Sequence, residues 1–232
     1  MILIPARDEA GTIAQVITEA RCRWSEVPLV VIDDASQDGT RAAAAAAGAV
    51  VLPLPLHLGA WGAMQTGLRY AQRQGWELAV TLDADGQHVP ADIAALIAPI
   101  LAGEADVVIG ACPPRVSWAR RLAWSYFRSL SSIGLEDLTS GFRAYNRAAI
   151  ARLVLPDATL LDYQDVGVLL ILRHQGLRIR EVAVTMRERN HGKSRVFDSW
   201  WTVARYMLHT SLLILAGIGG SRYQLNLTED TA

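Results

Sequence analysis

The stretch Val80–His88 reads Val-Thr-Leu-Asp-Ala-Asp-Gly-Gln-His. An apolar run stops abruptly at two aspartates, Asp83 and Asp85, with one small residue between them. Two carboxylates at the carboxyl end of a buried parallel strand form a hard oxygen site for Mg²⁺ or Mn²⁺. That end of the strand is also where open α/β sheets hold their ligands. Taken alone, Asp-x-Asp equally describes a solvated turn, because Asp and Gly are common turn residues. The surrounding chain has to decide between the two.

Outward from this stretch, apolar runs alternate with helical spacing. Met1–Ile4 is expected as a short buried strand stopped by Pro5. Gly11–Cys22 carries Ile13, Val16, Ile17 and Ala20 at helical intervals. Leu29–Ile32 is a second strand ending in Asp33-Asp34, and Gly39–Ala47 a helix. The alanine run Ala42–Ala47 needs no functional reading, since alanine is the best helix former. Ala49–Leu52 is a third strand, and Trp61–Gln74 a helix closed by Gly75. Leu78–Leu82 is the strand that carries the opening motif. Pro90 opens a helix that runs to about Ala102, and Asp106–Gly110 is a fifth strand. Such alternation implies right-handed crossovers and an α/β fold with a mostly parallel sheet flanked by helices. The groups Arg7-Asp8-Glu9, Asp33-Asp34 and Asp83/Asp85 all follow strands, so they share one sheet edge. Independent turns would not need to put their carboxylates on a common side.

After Gly110 the alternation fails. Pro113-Pro114 breaks the chain, and Trp118–Ser132 is helical, mixing Arg120, Arg121 and Arg128 with Trp118, Trp124, Tyr126 and Phe127. Thr139-Ser-Gly-Phe-Arg143 follows, then a short helix near Arg147–Leu153 and a helix over Asp165–Gln175 closed by Gly176. Leu177–Val184 alternates as a strand and leads into a basic loop with Arg187, Arg189, His191, Lys193 and Arg195. Ser199–Gly219 holds Trp200, Trp201, Tyr206, Met207 and Leu212–Leu215 beside Arg205 and His209. Its uninterrupted apolar run falls short of the ~20 residues a spanning helix needs. Paired Trp next to a basic loop suits an amphipathic helix lying in the bilayer interface. The expected organisation is one domain over 1–198, this helix over 199–220 and a polar tail over 221–232.

The 232 residues suit one large α/β domain, and 51% hydrophobic against 19% charged residues is apolar enough for an extra greasy surface. Net charge is −1, so there is no general attraction to nucleic acid and any anion site must be local. Cys22 and Cys112 lack metal-type spacing and read as reduced thiols. Met1 leads at once into Ile-Leu-Ile-Pro, with no basic segment and no long apolar segment of a secretory signal. No Gly-x-Gly-x-x-Gly follows the first strand, which disfavours a Rossmann dehydrogenase.

Ile4-Pro-Ala-Arg-Asp-Glu9, Val31-Ile-Asp-Asp-Ala-Ser-Gln-Asp-Gly-Thr40 and Asp83-Ala-Asp-Gly-Gln-His88 together resemble the inverting family 2 glycosyltransferases of GT-A fold. Thr139–Arg143 and His191-Gly-Lys-Ser194 are similar to the branch of dolichol-phosphate mannose synthases and bacterial polyprenyl-phosphate glycosyltransferases. Two positions depart from the pattern: Asp8, and His57 in His57-Leu-Gly59, where the family often has Asn. The resemblance implies transfer of a hexose, mannose or glucose, from a nucleotide sugar such as GDP-mannose or UDP-glucose to a polyprenyl phosphate. It places the protein peripherally at the cytoplasmic membrane face. It implies that Asp85 is the direct ligand of Mg²⁺ or Mn²⁺ and that Asp83 contacts the metal or the ribose. Gln87 would orient the diphosphate or the sugar. Pro5, Ala6, Arg7, Glu9, Asp33 and Asp34 match positions that grip base and ribose.

A divalent cation stabilises the charge that develops on a departing diphosphate. A polyprenyl phosphate is already an anion, so it needs positioning and charge compensation more than a strong base. Ser140 and Arg143 suit phosphate contacts because Arg offers a bidentate fork, and Arg120, Arg121, Arg189 and Lys193 are further candidates. If the acceptor is instead a soluble sugar or glycan, an aspartate acts as base, and Asp137 and Asp165 are the options. His88 is open as a ligand or a capping residue.

Overall fold

The computed structural model describes residues 1–112, 135, 137, 140–161, 166–187, 208, 211 and 212. The order is β1 (Ile2–Ala6), α1 (Ile13–Arg23), β2 (Leu29–Asp33), α2 (Thr40–Ala46), β3 (Val50–Pro53), α3 (Gly59–Arg73) and β4 (Leu78–Thr81). A 3-10 turn (Pro90–Asp92) then leads into α4 (Ile93–Leu101), followed by β5 (Val107–Ala111), β6 (Arg143–Asn146) and α5 (Arg147–Leu153). A second 3-10 turn (Pro156–Leu160), α6 (Val166–His174) and β7 (Ile179–Ala183) complete it. The strands form one sheet in the order β3-β2-β1-β4-β6-β5-β7.

All described pairings are parallel except those of β6, which runs antiparallel to both β4 and β5. The sequence pattern does not announce β6. Its residues, Arg-Ala-Tyr-Asn, include no alternation of polar and apolar types, because the strand is central and covered on both faces. Side chains alternate between two cores, as the pleat requires. Leu3, Val30, Ile32 and Tyr145 pack with Trp61, Met64 and Leu68 of α3 and with α5 and α6. Ile2, Ile4, Val31, Val80 and Ala144 pack with Ile13, Val16 and Ile17 of α1 and with Ile93 and Leu96 of α4.

Pro5 does not stop the first strand, which continues to Ala6 in register with β2. The β1–β4 ladder ends at Leu3↔Thr81, with Leu82 N–H reaching Leu3 O. Pro5 faces the β4 side beyond that point, so its missing N–H breaks no ladder bond. Helix ends follow the expected chemistry. Gly75 and Gly176 adopt φ of 76° and 74° after α3 and α6. Asn146 caps α5, its side chain accepting Ala149 N–H at 2.9 Å. The expected helices over 118–132 and 199–219 and the basic loop from residue 188 lie outside the described residues, apart from Leu208, Ser211 and Leu212, which are helical. Among the described residues no helix is long and apolar enough to cross a membrane.

Candidate active site

Because β1, β2 and β4 are parallel, the segments that follow them emerge on one edge. The loops after β1 and β2 are laced together there. Asp8 and Ala35 hold positive φ, 50° and 56°, a region that a short polar residue such as Asp tolerates better than most. Asp8 N–H donates to Ser36 Oγ at 3.0 Å, and Gln37 N–H donates back to Asp8 Oδ1 at 2.8 Å. Glu9 N–H donates to Thr40 Oγ1 at 2.7 Å, while Asp38 accepts from Ala10 N–H at 3.1 Å and Thr40 N–H at 2.9 Å. Burial pushes the Asp38 carboxyl up, but the hydrogen bonds from Thr40 and Ala10 outweigh it and hold it below the ordinary carboxylate range.

The candidate nucleoside residues sit within this lacing. Asp33 is fully buried, accepting Ser36 N–H at 3.2 Å and Arg41 Nε–H at 3.0 Å. Asp34, also buried, accepts Leu58 N–H at 2.7 Å and lies 2.7 Å from His57 Nδ1. The departure at His57 is therefore in direct contact with a candidate site residue. Glu9 Oε2 accepts from Thr12 Oγ1 at 3.1 Å at the start of α1. Arg7 stands 3.7 Å from Asp8, and Pro5 and Ala6 are the last two residues of β1.

The Asp-x-Asp loop follows β4. Gln87 N–H closes a tight turn onto Asp85 Oδ1 at 3.0 Å, with Gly86 at φ 77°. Asp85 is buried, whereas the Asp83 side chain is 43% exposed. Segment 185–187, just after β7, is strapped to this loop. Arg187 N–H donates to Gln87 O at 2.8 Å, Gln87 Nε2 lies 3.4 Å from Arg187 O, and His88 bridges Met186. Arg187 is itself paired with Glu19 of α1 at 2.6 Å.

The antiparallel direction of β6 explains how residues 140–143 reach this edge: its first residue, Arg143, pairs with Thr81, the last of β4. Thr81 Oγ1 donates to Gly141 O at 2.6 Å and accepts Arg143 N–H at 3.1 Å, which extends the pairing past the strand end. Gly141 then lies so close to Asp83 that a Cβ there would sit 2.5 Å from Oδ1. Ser140 and Arg143 are both buried, and Arg143 has no exposed surface. Ser140 Oγ accepts Phe142 N–H at 3.3 Å, and Arg143 Nε–H donates to Ser140 O at 2.8 Å. Asp137 is buried too, and its N–H donates to Glu181 Oε1 on β7 at 2.7 Å. Asp165, Arg189 and Lys193 lie outside the described residues.

Among the described residues no group of three or more His, Cys, Asp or Glu side chains converges as metal ligands. Of the carboxylates at this edge, those of Asp83 and Asp85 follow β4. That donor set fits Mg²⁺ or Mn²⁺ held jointly with a diphosphate, because such ions are bound by one or two carboxylates plus substrate phosphates.

Residues 1–153 match the family model described as "Glycosyl transferase family 2". The chain is 31% identical to undecaprenyl-phosphate mannosyltransferase of Micrococcus luteus, over 84% of this chain and 86% of that protein. It is 27% identical to polyprenol monophosphomannose synthase of Mycolicibacterium smegmatis, over 86% of this chain and 81% of that protein. Among solved structures, it superposes on glucosyl-3-phosphoglycerate synthase from Mycobacterium tuberculosis in complex with Mn²⁺, uridine diphosphate and glucosyl-3-phosphoglycerate. The TM-score is 0.70 at 23% identity, covering 94% of this chain and 79% of that one, a likeness of fold.

Proposed function

The chain belongs to glycosyl transferase family 2, and from that premise we propose that it moves a hexose from a nucleotide diphosphate sugar to a polyprenyl phosphate, with inversion. The observation that carries this reading is the meeting of two segments at one edge. The Asp83 carboxylate lies against Gly141, so the carboxylates suited to a diphosphate and the Ser140–Arg143 segment belong to one site. The names of the two bacterial relatives support a lipid-phosphate acceptor, and both support mannose ahead of glucose.

On this reading Asp83 and Asp85 hold Mg²⁺ or Mn²⁺, which when bound offsets the charge on the departing nucleoside diphosphate. Gln87, fixed between Asp85 and Arg187, orients the diphosphate or the sugar. Pro5, Ala6, Arg7, Glu9, Asp33 and Asp34 shape the nucleoside site, Asp33 and Asp34 by anchoring the loops around it. The acceptor phosphate arrives as an anion, so the chain's task is to place it in line and compensate its charge. Ser140 stiffens the acceptor segment, and Arg143 adds positive charge from beneath the edge. Arg189 and Lys193 supply further cations. Asp137 and Asp165 keep the role of a base for an acceptor hydroxyl and are not needed for a lipid phosphate. Residues 1–198 form the transferase domain, and 199–220 rest it on the cytoplasmic face of the membrane, where such a lipid resides.

The test is a donor panel. Purified protein receives GDP-mannose, UDP-glucose and other nucleotide sugars, Mg²⁺ or Mn²⁺, and a short polyprenyl phosphate. A lipid-linked hexose from one donor is expected, lost on chelation and in Asp85→Ala. No lipid product from any donor would overturn the acceptor assignment. Full metal-dependent turnover in Asp85→Ala would overturn the assignment of the Asp-x-Asp loop.

A further inference from the structure

His88 ends the Asp-x-Asp stretch. It is 5% exposed, an unusual position for an imidazole unless its polar atoms are used. Both nitrogens face Asp83. Asp83 N–H points at Nδ1 at 3.1 Å, and Nε2 lies 3.5 Å from Asp83 Oδ2. A backbone N–H only donates, so Nδ1 is the acceptor. Nε2 then carries the ring proton and makes a polar contact with the carboxylate that is longer than a hydrogen bond. The ring plane is fixed by Phe142, stacked at a centroid separation of 4.8 Å and an interplanar angle of 15°. Phe142 is fully buried and held by β5, whose Gly110 N–H donates to Phe142 O at 2.8 Å. Gly141 closes on Oδ1 of the same carboxylate.

We infer that His88 is a positioning residue that fixes the Asp83 carboxylate for the metal–diphosphate site, with Phe142 as the wall that orients its ring. With Nδ1 accepting from Asp83 N–H and Nε2 carrying the proton, His88 acts through Asp83 and does not itself bind the cation. A carboxylate held in one rotamer binds the cation at lower entropic cost. The same arrangement gives Gly141-Phe142 a function on the donor side, independent of any contact with acceptor phosphate. The inference rests on the proposed role of Asp83 at the metal.

Binding of GDP or UDP is measured by calorimetry in Mn²⁺ and again in EDTA, and the ratio of affinities isolates the metal-dependent part. His88→Asn retains an acceptor near Asp83 N–H but has no atom that reaches Oδ2. It is expected to cut the Mn²⁺-dependent gain by about tenfold or more, with binding in EDTA and the melting temperature close to the parent. A folded His88→Asn protein with the full gain overturns the inference, provided Asp83→Asn has lost it. If Asp83→Asn also keeps the full gain, the assignment of Asp83 to the metal fails instead. Should His88→Asn not fold, Phe142→Leu leaves both imidazole nitrogens in place and frees the ring. A smaller loss of the gain is expected there, and an unchanged gain overturns the inference.

Discussion

Gly141→Ala tests the proposed site by adding a single methyl group. The new Cβ would lie 2.5 Å from Asp83 Oδ1, 3.0 Å from Oδ2 and 3.1 Å from Cγ. Even a weakly attractive carbon–oxygen contact needs about 3.3–3.6 Å, so the carboxylate has to retreat by roughly 0.8–1 Å. The backbone has no reason to object, since Gly141 is outside the left-handed region. The Asp83 side chain is 43% exposed, so a carboxylate displaced from its contact with His88 has room on the solvent side. Stability should therefore change little. The lost cost of ordering a glycine, about 0.4–1 kcal/mol, works in the protein's favour. Function should not escape, because a displacement of about 1 Å in a reacting constellation costs on the order of 100-fold. The assay is kcat/KM for sugar transfer to a polyprenyl phosphate beside a thermal melt. In an Asp83→Asn background the methyl group should cost almost nothing more, because the two changes act on one group. Gly141→Ala with parental kcat/KM, or with an undiminished further loss on top of Asp83→Asn, would refute the reasoning.

Gly67→Ala provides the contrasting case. Its Cβ would meet Ile32 Cδ1 at 2.8 Å and Leu3 Cδ1 at 3.3 Å, between α3 and the sheet, far into the core. A loss of about 1–3 kcal/mol in unfolding free energy is expected from overpacking, with kcat of the folded protein unchanged. Asp106→Asn probes the opposite end of the sheet, where Asp106 accepts Asn146 Nδ2–H at 2.8 Å and Arg178 N–H at 2.8 Å. Hydrogen bonds from Arg178 hold that carboxyl below its usual range. A depressed folded value means its contribution is complete above the unfolded pKa of about 3.9 and is lost as pH falls through the folded value. Asp106→Asn should lower stability at neutral pH by about 1–2 kcal/mol and flatten the acid limb of the stability profile. An unaltered acid limb in denaturant melts would contradict the assignment.

The parallel half of the fold was legible because β1, β2 and β4 are short, mostly apolar runs that give way to polar residues. Ile4, Val31 and Val80 are buried where a doubly covered sheet needs them. The convergence of Asp8, Asp34 and Asp83 on one edge followed from strand direction alone. β6 was not legible. A four-residue strand opening with Arg143 carries no periodic signal, and its place between β4 and β5 is set by pairing that no local pattern encodes. The same gap hid the partner of Asp83: the contact with Gly141 spans 58 positions of sequence and exists only because β6 runs backwards. His88 was visible as a residue and ambiguous as a role. Only the stacking on Phe142 and the hydrogen bond from Asp83 N–H to Nδ1 distinguish a positioning group from a ligand. Arg143 shows the reverse, since a forked cation expected to face a phosphate is fully buried behind Ser140.

The reversal of β6 also bears on how the two ends of the reaction are coupled. Had β6 been parallel, residues 140–142 would emerge at the far edge, beside Glu77 and Asp106, and Asp83 would lose one of its two walls. The family match ends at residue 153, just after β6 and α5, so it covers β1 to β6 and both walls of Asp83. Segment 185–187 lies beyond that match, yet it is pinned to the Asp-x-Asp loop through Gln87 and to α1 through Glu19. Under the proposed function, Arg189 and Lys193 follow that pinned segment by only a few residues. The loop that binds the leaving group and the loop that would meet the acceptor phosphate then share a backbone hydrogen bond, Arg187 N–H to Gln87 O. Under the proposed function, a donor that settles the first loop would bear on the root of the second through this bond.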